Sequence, residues 1–182
     1  MARATGLDGV ITKHIEVPVK QFCFVCSGNL YRSRYAEAWF NYLSITHERH
    51  DLRAFSRGIA VQPTDDYRQG EIFTRRIPLA KPTYDRMLAK NIPFCLIGPT
   101  NQALSDGDCG AAEVIFLMNR VEHLPVIERQ YPAYLDRVES YDIGGQEYAP
   151  STGYCGPEWD GEDALTAIER LVTATFKKFA AV

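Results

Sequence analysis

Val25-Cys26-Ser27-Gly28-Asn29-Leu30-Tyr31-Arg32-Ser33 sets a cysteine and an arginine on either side of five residues. Apolar Phe22 to Val25 leads in as a strand, and Ser33 to Leu43 leads out with helical spacing. A strand, a tight loop and a helix N-terminus bring backbone N–H groups and the positive end of a helix dipole to one point, where an anion is favoured. A helix N-terminus and a guanidinium both favour a thiolate, so Cys26 reads as a nucleophile toward a phosphate ester. Arg32 supplies the guanidinium, whose planar fork can hold two phosphate oxygens at once. Gly28 permits close approach of backbone to ligand. Asn29 tolerates the left-handed region and can tie the loop through its amide. Ser33 is placed either to cap the helix or to donate to the cysteine sulfur. The competing reading is a structural cysteine before an ordinary helix, and the strand-loop-helix setting with Gly, Asn and Ser favours the anion site.

The rest of the chain bounds that reading. With 182 residues, 46% of them hydrophobic and 24% charged, the sequence suits one globular domain with a sizeable core. Residues 1–20 read as an N-terminal extension and 21–182 as the domain. A net charge of -3 gives no electrostatic case for nucleic acid. No apolar stretch is long enough to span a bilayer, and Arg3, Asp8, Lys13, His14 and Glu16 argue against a signal peptide. Five scattered cysteines, Cys23, Cys26, Cys95, Cys109 and Cys155, fit free thiols in a cytoplasmic protein. Cys23-Phe-Val-Cys26 is not a redox pair, because three residues of strand rise separate the two by ~10 Å on opposite faces. The four histidines offer no zinc spacing, and Asp106-Gly-Asp-Cys-Gly110 reads as a turn rather than a calcium loop.

The order of elements follows from periodicity. Ala36, Trp39, Phe40 and Leu43 share one helical face, with Arg34, Glu37 and Asn41 elsewhere. Leu52 to Ser56 reads as a second strand, Gly58 to Pro82 as a long polar segment, and Tyr84 to Lys90 as a helix. Ala112 to Met118 is a continuously apolar strand, Val121 to Arg129 a helix and Val138 to Ile143 a fourth strand. A Gly- and Tyr-rich segment, Gly144 to Gly161, precedes an amphipathic helix carrying Leu165, Ile168, Leu171, Val172, Phe176 and Phe179. Alternating strands and helices imply an α/β fold with a parallel sheet, whose ligands bind beyond the carboxyl ends of the strands. Cys26 lies at such an end.

This order, with Val-Cys-x-Gly-Asn-x-x-Arg-Ser near the N-terminus, resembles the low-molecular-weight protein tyrosine phosphatases. The likeness continues through Ala36-Glu37-Ala38, Ser56-Arg57-Gly58 and Phe116-Leu117-Met118-Asn119-Arg120. The resemblance implies a four-stranded parallel sheet in the order 2-1-3-4 with helices on both faces. It makes Cys26 the nucleophile, Arg32 the clamp and Ser33 the residue that assists the thiolate, with Asn29 and Ser56 bracing the loop. Phosphate, or sulfate in its place, would sit against Cys26, Ser27, Gly28, Asn29, Leu30, Tyr31 and Arg32. The implied reaction is hydrolysis of phosphotyrosine or a small aryl phosphate through a phosphocysteine. It uses no metal or cofactor, because Arg32 and the loop amides supply the charge stabilisation.

Three departures qualify the likeness. The family carries its general acid in an Asp-Pro pair, which this sequence lacks; Glu147, Glu158 and Asp160 are the candidate replacements, although Asp160 also suits the cap of the last helix. Tyr31 stands where many members have a second cysteine, and it either walls the pocket or points into solvent or core. The segments Gly58 to Pro82 and Gly144 to Gly161 are long, so Tyr67, Phe73, Tyr148, Tyr154 and Trp159 either line a cleft or pack locally. A phosphate- or phosphoprotein-binding module without an acid is the main alternative function. An arsenate reductase is a weaker one, since Met118 stands where such an enzyme needs a cysteine.

Overall fold

The computed structural model describes residues 18–61, 79–143 and 164–181. Four parallel strands, β1 (Lys20–Cys26), β2 (Leu52–Gly58), β3 (Val114–Leu117) and β4 (Val138–Ser140), lie in the order β2-β1-β3-β4. Five α-helices accompany them among the described residues: α1 (Arg32–Thr46), α2 (Lys81–Ala89), α3 (Asp106–Ala111), α4 (Arg120–Gln130) and α5 (Ala164–Ala180). The chain leaves β1 toward β2 on one side and returns to β3 on the other. The sheet therefore changes direction at the carboxyl end of β1, where an open α/β sheet leaves a crevice for a ligand.

Alternation along β1 builds two cores. Phe22, Phe24 and Cys26 face the cluster shared with Phe40 of α1, Phe116 of β3 and Phe176 of α5. Cys23 and Val25 face the other cluster with Cys109 of α3, Ile115 and Leu117 of β3, and Ile127 of α4. Cys23 and Cys26 thus lie on opposite faces as free thiols. The first core is aromatic: the ring centroids of Phe22 and Phe40 are 4.9 Å apart, and those of Phe24 and Phe116 are 5.4 Å apart and stacked. A rigid, doubly covered β1 fixes the place of Cys26.

Two expectations need correction. Asp106 to Gly110 is not a turn but most of α3, because the Ser105 hydroxyl accepts from the Asp108 N–H while the Asp108 carboxylate accepts from the Ser105 N–H. The polar residues of α1 do not face solvent either: Arg34, Glu37 and Asn41 are buried, as Ala36 and Phe40 are. Asn41 explains how this is sustained. Its amide donates to the carbonyls of Ala54 and Leu96 and accepts from the Ala54 N–H, which joins α1 to β2. The fourth strand also ends earlier than its apolar pattern suggests, and Asp142, beyond it, turns the chain with φ 50.

Candidate active site

The residues after Cys26 turn tightly between β1 and α1, and Asn29 takes up a left-handed conformation with φ 55. Several of the loop's carbonyls accept from neighbouring segments. Ile59 donates to Cys26, Ala60 to Ser27 and Ala80 to Leu30, while Tyr35 and the Thr83 hydroxyl both donate to Tyr31. Each peptide plane holds the following N–H opposite its carbonyl. The N–H groups of Ser27, Gly28, Tyr31 and Arg32 therefore point away from the groups that those carbonyls accept from. The N-termini of α1 and α2 have no side-chain cap and no acidic residue in the first turn, whereas α3 and α4 have both a cap and an acidic residue. Such an end is a receptive place for an anion.

Gly58 allows β2 to finish against this loop. A Cβ there would lie 2.6 Å from the Ser27 carbonyl oxygen and 2.6 Å from Val61 Cγ2. Any larger residue would displace the backbone next to Cys26.

Cys26 Sγ lies 2.9 Å from Ser33 Oγ. Its neighbours orient the serine. The Gln102 N–H can only donate, so it fixes Asn29 Oδ1 as its acceptor and Nδ2 as a donor to Ser33 Oγ at 3.1 Å and Ser56 Oγ at 2.8 Å. Ser56 donates to Glu37 Oε2 at 2.6 Å, and the Ser33 hydroxyl, which accepts from Asn29, keeps its proton available to a Cys26 thiolate. Ser33 accordingly serves the sulfur rather than the helix end, and Asn29 and Ser56 are joined beneath the loop.

That chain ends on a buried ion pair the sequence did not disclose. Glu37 accepts from the Gly98 N–H and lies 3.7 Å from Arg34 Nη1, while Arg34 Nη2 donates to the Gly98 carbonyl at 2.7 Å. Burial raises the Glu37 carboxyl above the usual carboxylate range, against the opposing pull of Arg34, the Ser56 hydroxyl and the Gly98 N–H. Burial lowers the Arg34 guanidinium, against the attraction of Glu37.

A second network stands on the other side of the loop. Arg32 is buried; its Nη1 donates to the Ile143 carbonyl at 2.9 Å and its Nη2 to Glu122 Oε2 at 2.9 Å. Glu122 Oε2 also accepts from the Ser27 hydroxyl at 3.2 Å and lies 3.3 Å from His123 Nε2. Burial pushes the Glu122 carboxyl up, but the hydrogen bond from His123 and the charge and hydrogen bond of Arg32 outweigh it and hold the group down at about 2. His123 is fully buried and its ring is pushed toward neutrality by that burial, with Glu122 opposing. Its Nδ1 accepts from the Asn119 N–H at 3.2 Å, so its proton sits on Nε2, facing Ser27 and Glu122. The imidazole therefore offers Ser27 no lone pair, and the Ser27 hydroxyl donates to Glu122.

Glu122, His123, Glu37 and Arg34 were all missed as site residues. Asn119-Arg-Val-Glu122 reads as the start of a helix, and Asn119 does cap α4 by accepting from the Glu122 N–H. In a capping box the glutamate would reach back to the cap's own N–H. Here His123 takes that N–H, and the Glu122 side chain turns to Arg32 instead. Tyr31 is partly buried and packs against the aromatic core. Glu147, Glu158 and Asp160 lie outside the described residues, as do Tyr67, Phe73, Tyr148, Tyr154 and Trp159.

No family model and no curated protein sequence matches the chain. Solved structures do. A low-molecular-weight protein tyrosine phosphatase from T. tengcongensis is 21% identical with a TM-score of 0.57, over 89% of this chain and 98% of that one. The YwlE arginine phosphatase from Geobacillus stearothermophilus is 16% identical with a TM-score of 0.60, over 89% of this chain and 94% of that one. Wzb from Vibrio vulnificus, solved with benzylphosphonate, is 15% identical with a TM-score of 0.59, over 90% and 98%. The chain has the fold of the low-molecular-weight protein tyrosine phosphatases, with Cys26 in the loop that follows the first strand.

Proposed function

We propose that the protein is a cysteine-dependent phosphatase that hydrolyses phosphotyrosine or a similar aryl phosphate through a phosphocysteine. One observation carries this: the Cys26 sulfur faces the Ser33 hydroxyl at 2.9 Å within a loop that opens on an uncapped helix N-terminus and holds a buried arginine. In the first step Cys26 attacks phosphorus in line, the S–P bond forms, and the P–O bond to the substrate breaks. In the second, water attacks phosphorus and the S–P bond breaks, releasing inorganic phosphate and restoring the thiolate. Arg32 and the loop N–H groups hold the equatorial oxygens as charge builds on them. The Ser33 hydroxyl steadies the sulfur anion each time it is present. Free thiols at Cys23, Cys26, Cys95 and Cys109 fit a cytoplasmic setting.

Protonation of the departing oxygen falls to Glu147, Glu158 or Asp160, or to none of them. The activity test is p-nitrophenyl phosphate hydrolysis by the wild type and by Cys26→Ser. Turnover by the wild type and none by Cys26→Ser is expected; equal turnover by both would overturn the nucleophile. A series of aryl phosphates of graded phenol pKa, with phosphoarginine alongside, then defines the substrate. Without a carboxylic acid the rate should fall steeply toward phosphotyrosine, because general acid catalysis is worth about 10²–10⁴-fold. Tight phosphate binding with no turnover of any ester would instead favour the binding module. The arsenate reductase reading gains nothing here, since Met118 is a buried residue directly after β3.

A further inference from the structure

We infer that Glu122 is a positioning residue that aims the Arg32 guanidinium across the mouth of the loop and, by its charge, loosens the site's hold on phosphate. The inference rests on the phosphatase reading of Cys26 and Arg32. Two of the contacts that hold Arg32 are its Nη1 on the Ile143 carbonyl and its Nη2 on Glu122, each at 2.9 Å. Two acceptors at separate nitrogens set the plane of a guanidinium, which a single acceptor leaves free to pivot. Glu122 is itself held from two further directions, by the Ser27 hydroxyl and by the His123 ring. The ring in turn is locked by its bond to the Asn119 N–H, inside the first turn of α4. The orientation of Arg32 is thus set by the helix that follows β3, and not only by its own loop.

Every one of these bonds falls on the same carboxylate oxygen, Oε2. A glutamine can place its carbonyl oxygen there and keep the acceptor while removing the charge. An aspartate keeps the charge but falls short by one methylene. These two variants separate aim from charge. A carboxylate beside the clamp also repels a phosphate dianion, so the wild type releases its inorganic product more readily than a neutral site would.

Steady-state hydrolysis of p-nitrophenyl phosphate, with inorganic phosphate as inhibitor, decides the matter for Glu122→Gln, Glu122→Asp and Glu122→Ala. Glu122→Gln should keep kcat within about twofold of wild type and bind phosphate about fivefold more tightly, whereas Asp and Ala should each lose about 10–100-fold in kcat. Near-wild-type kcat in Glu122→Asp with a collapse in Glu122→Gln would show that charge alone matters and overturn the inference. Wild-type kcat in Glu122→Ala would overturn it equally. Direct calorimetry of phosphate binding needs no turnover. If the wild type hydrolyses nothing, the phosphatase reading fails, while tighter phosphate binding by Glu122→Gln than by Glu122→Ala still upholds the aim of Arg32. Equal binding by those two variants would refute it even in an active enzyme.

Discussion

The two flanks of the Cys26 loop solve different problems with similar residues. On the flank toward β2, Asn29, Ser33, Ser56, Glu37 and Arg34 are all buried, and the hydrogen bonds run one way from the Gln102 N–H to a carboxylate. On the flank toward α4, Glu122 keeps partial access to solvent and pairs with the arginine that would face substrate. The first flank shapes the loop and the second aims a charge. A buried ion pair such as Arg34 with Glu37 contributes little by its presence, yet removing one partner strands the other in a medium that cannot solvate it. In the Arg32–Glu122 pair Arg32 is buried too, but the Glu122 carboxylate keeps partial access to solvent, so water can take up part of what a lost partner leaves. Damage on the deep flank should therefore appear as lost stability, and damage on the open flank as lost catalysis.

The largest effect should come from Arg32. Both Arg32→Ala and Arg32→Lys should lower kcat by about 10²–10³-fold, since lysine retains a charge but not the planar fork that meets two phosphate oxygens. Thermal unfolding should change less than it does on loss of Glu37. A lysine variant with near-wild-type kinetics would break the division by showing that the open flank needs charge and no aim.

Glu37→Ala should do the opposite. It leaves the Arg34 guanidinium buried without its carboxylate and should cost about 3–5 kcal/mol in urea unfolding. The double variant Arg34→Met with Glu37→Leu should recover most of that loss. Wild-type stability in Glu37→Ala would mean that Arg34 finds another partner and that the deep flank is less committed than its burial implies.

The smallest effect concerns acid. Glu122 has an ordinary value of 4.5 and is held at about 2 in the fold. A depressed carboxylate contributes stability that is present above the unfolded value and is lost as pH falls through the folded one. The melting temperature of the wild type should therefore drop between pH 4.5 and 2 more steeply than that of Glu122→Gln, by about 2–4 °C. Parallel curves in scanning calorimetry would place the Glu122 carboxylate in water rather than on Arg32.

The same contrast explains what the sequence could disclose. The Cys26 loop was legible because a nucleophile, a clamp and a permissive Asn29 stand within eight consecutive positions, and local chemistry implies local geometry. A parallel sheet was legible in the alternation of strands with helices and in the continuously apolar run at β3, whereas the strand order came from the resemblance alone. Glu122 was not legible, since it comes to Arg32 from 90 positions away and its spacing from Asn119 matches an ordinary helix start. Glu37 was hidden by its place on a helix whose apolar face already accounts for a core. Nothing in helical periodicity distinguishes a solvated glutamate from one that receives a hydrogen bond from Ser56. The Asp106 helix was missed for a different reason: six residues with two glycines carry little helical preference, and the reciprocal Ser105 and Asp108 bonds, visible as Ser-x-x-Asp, set its start.

The most direct measurement is capture of the intermediate itself. Wild-type protein mixed with p-nitrophenyl phosphate, quenched within the first turnover and analysed by phosphorus NMR and peptide mass spectrometry, should show phosphate bonded to sulfur at Cys26. Cys26→Ser, which lacks the sulfur, should form no phosphocysteine and release no p-nitrophenol. Release of p-nitrophenol by the Cys26→Ser variant at the wild-type rate, with no phosphorylated Cys26 in the wild type, would contradict the account at its centre.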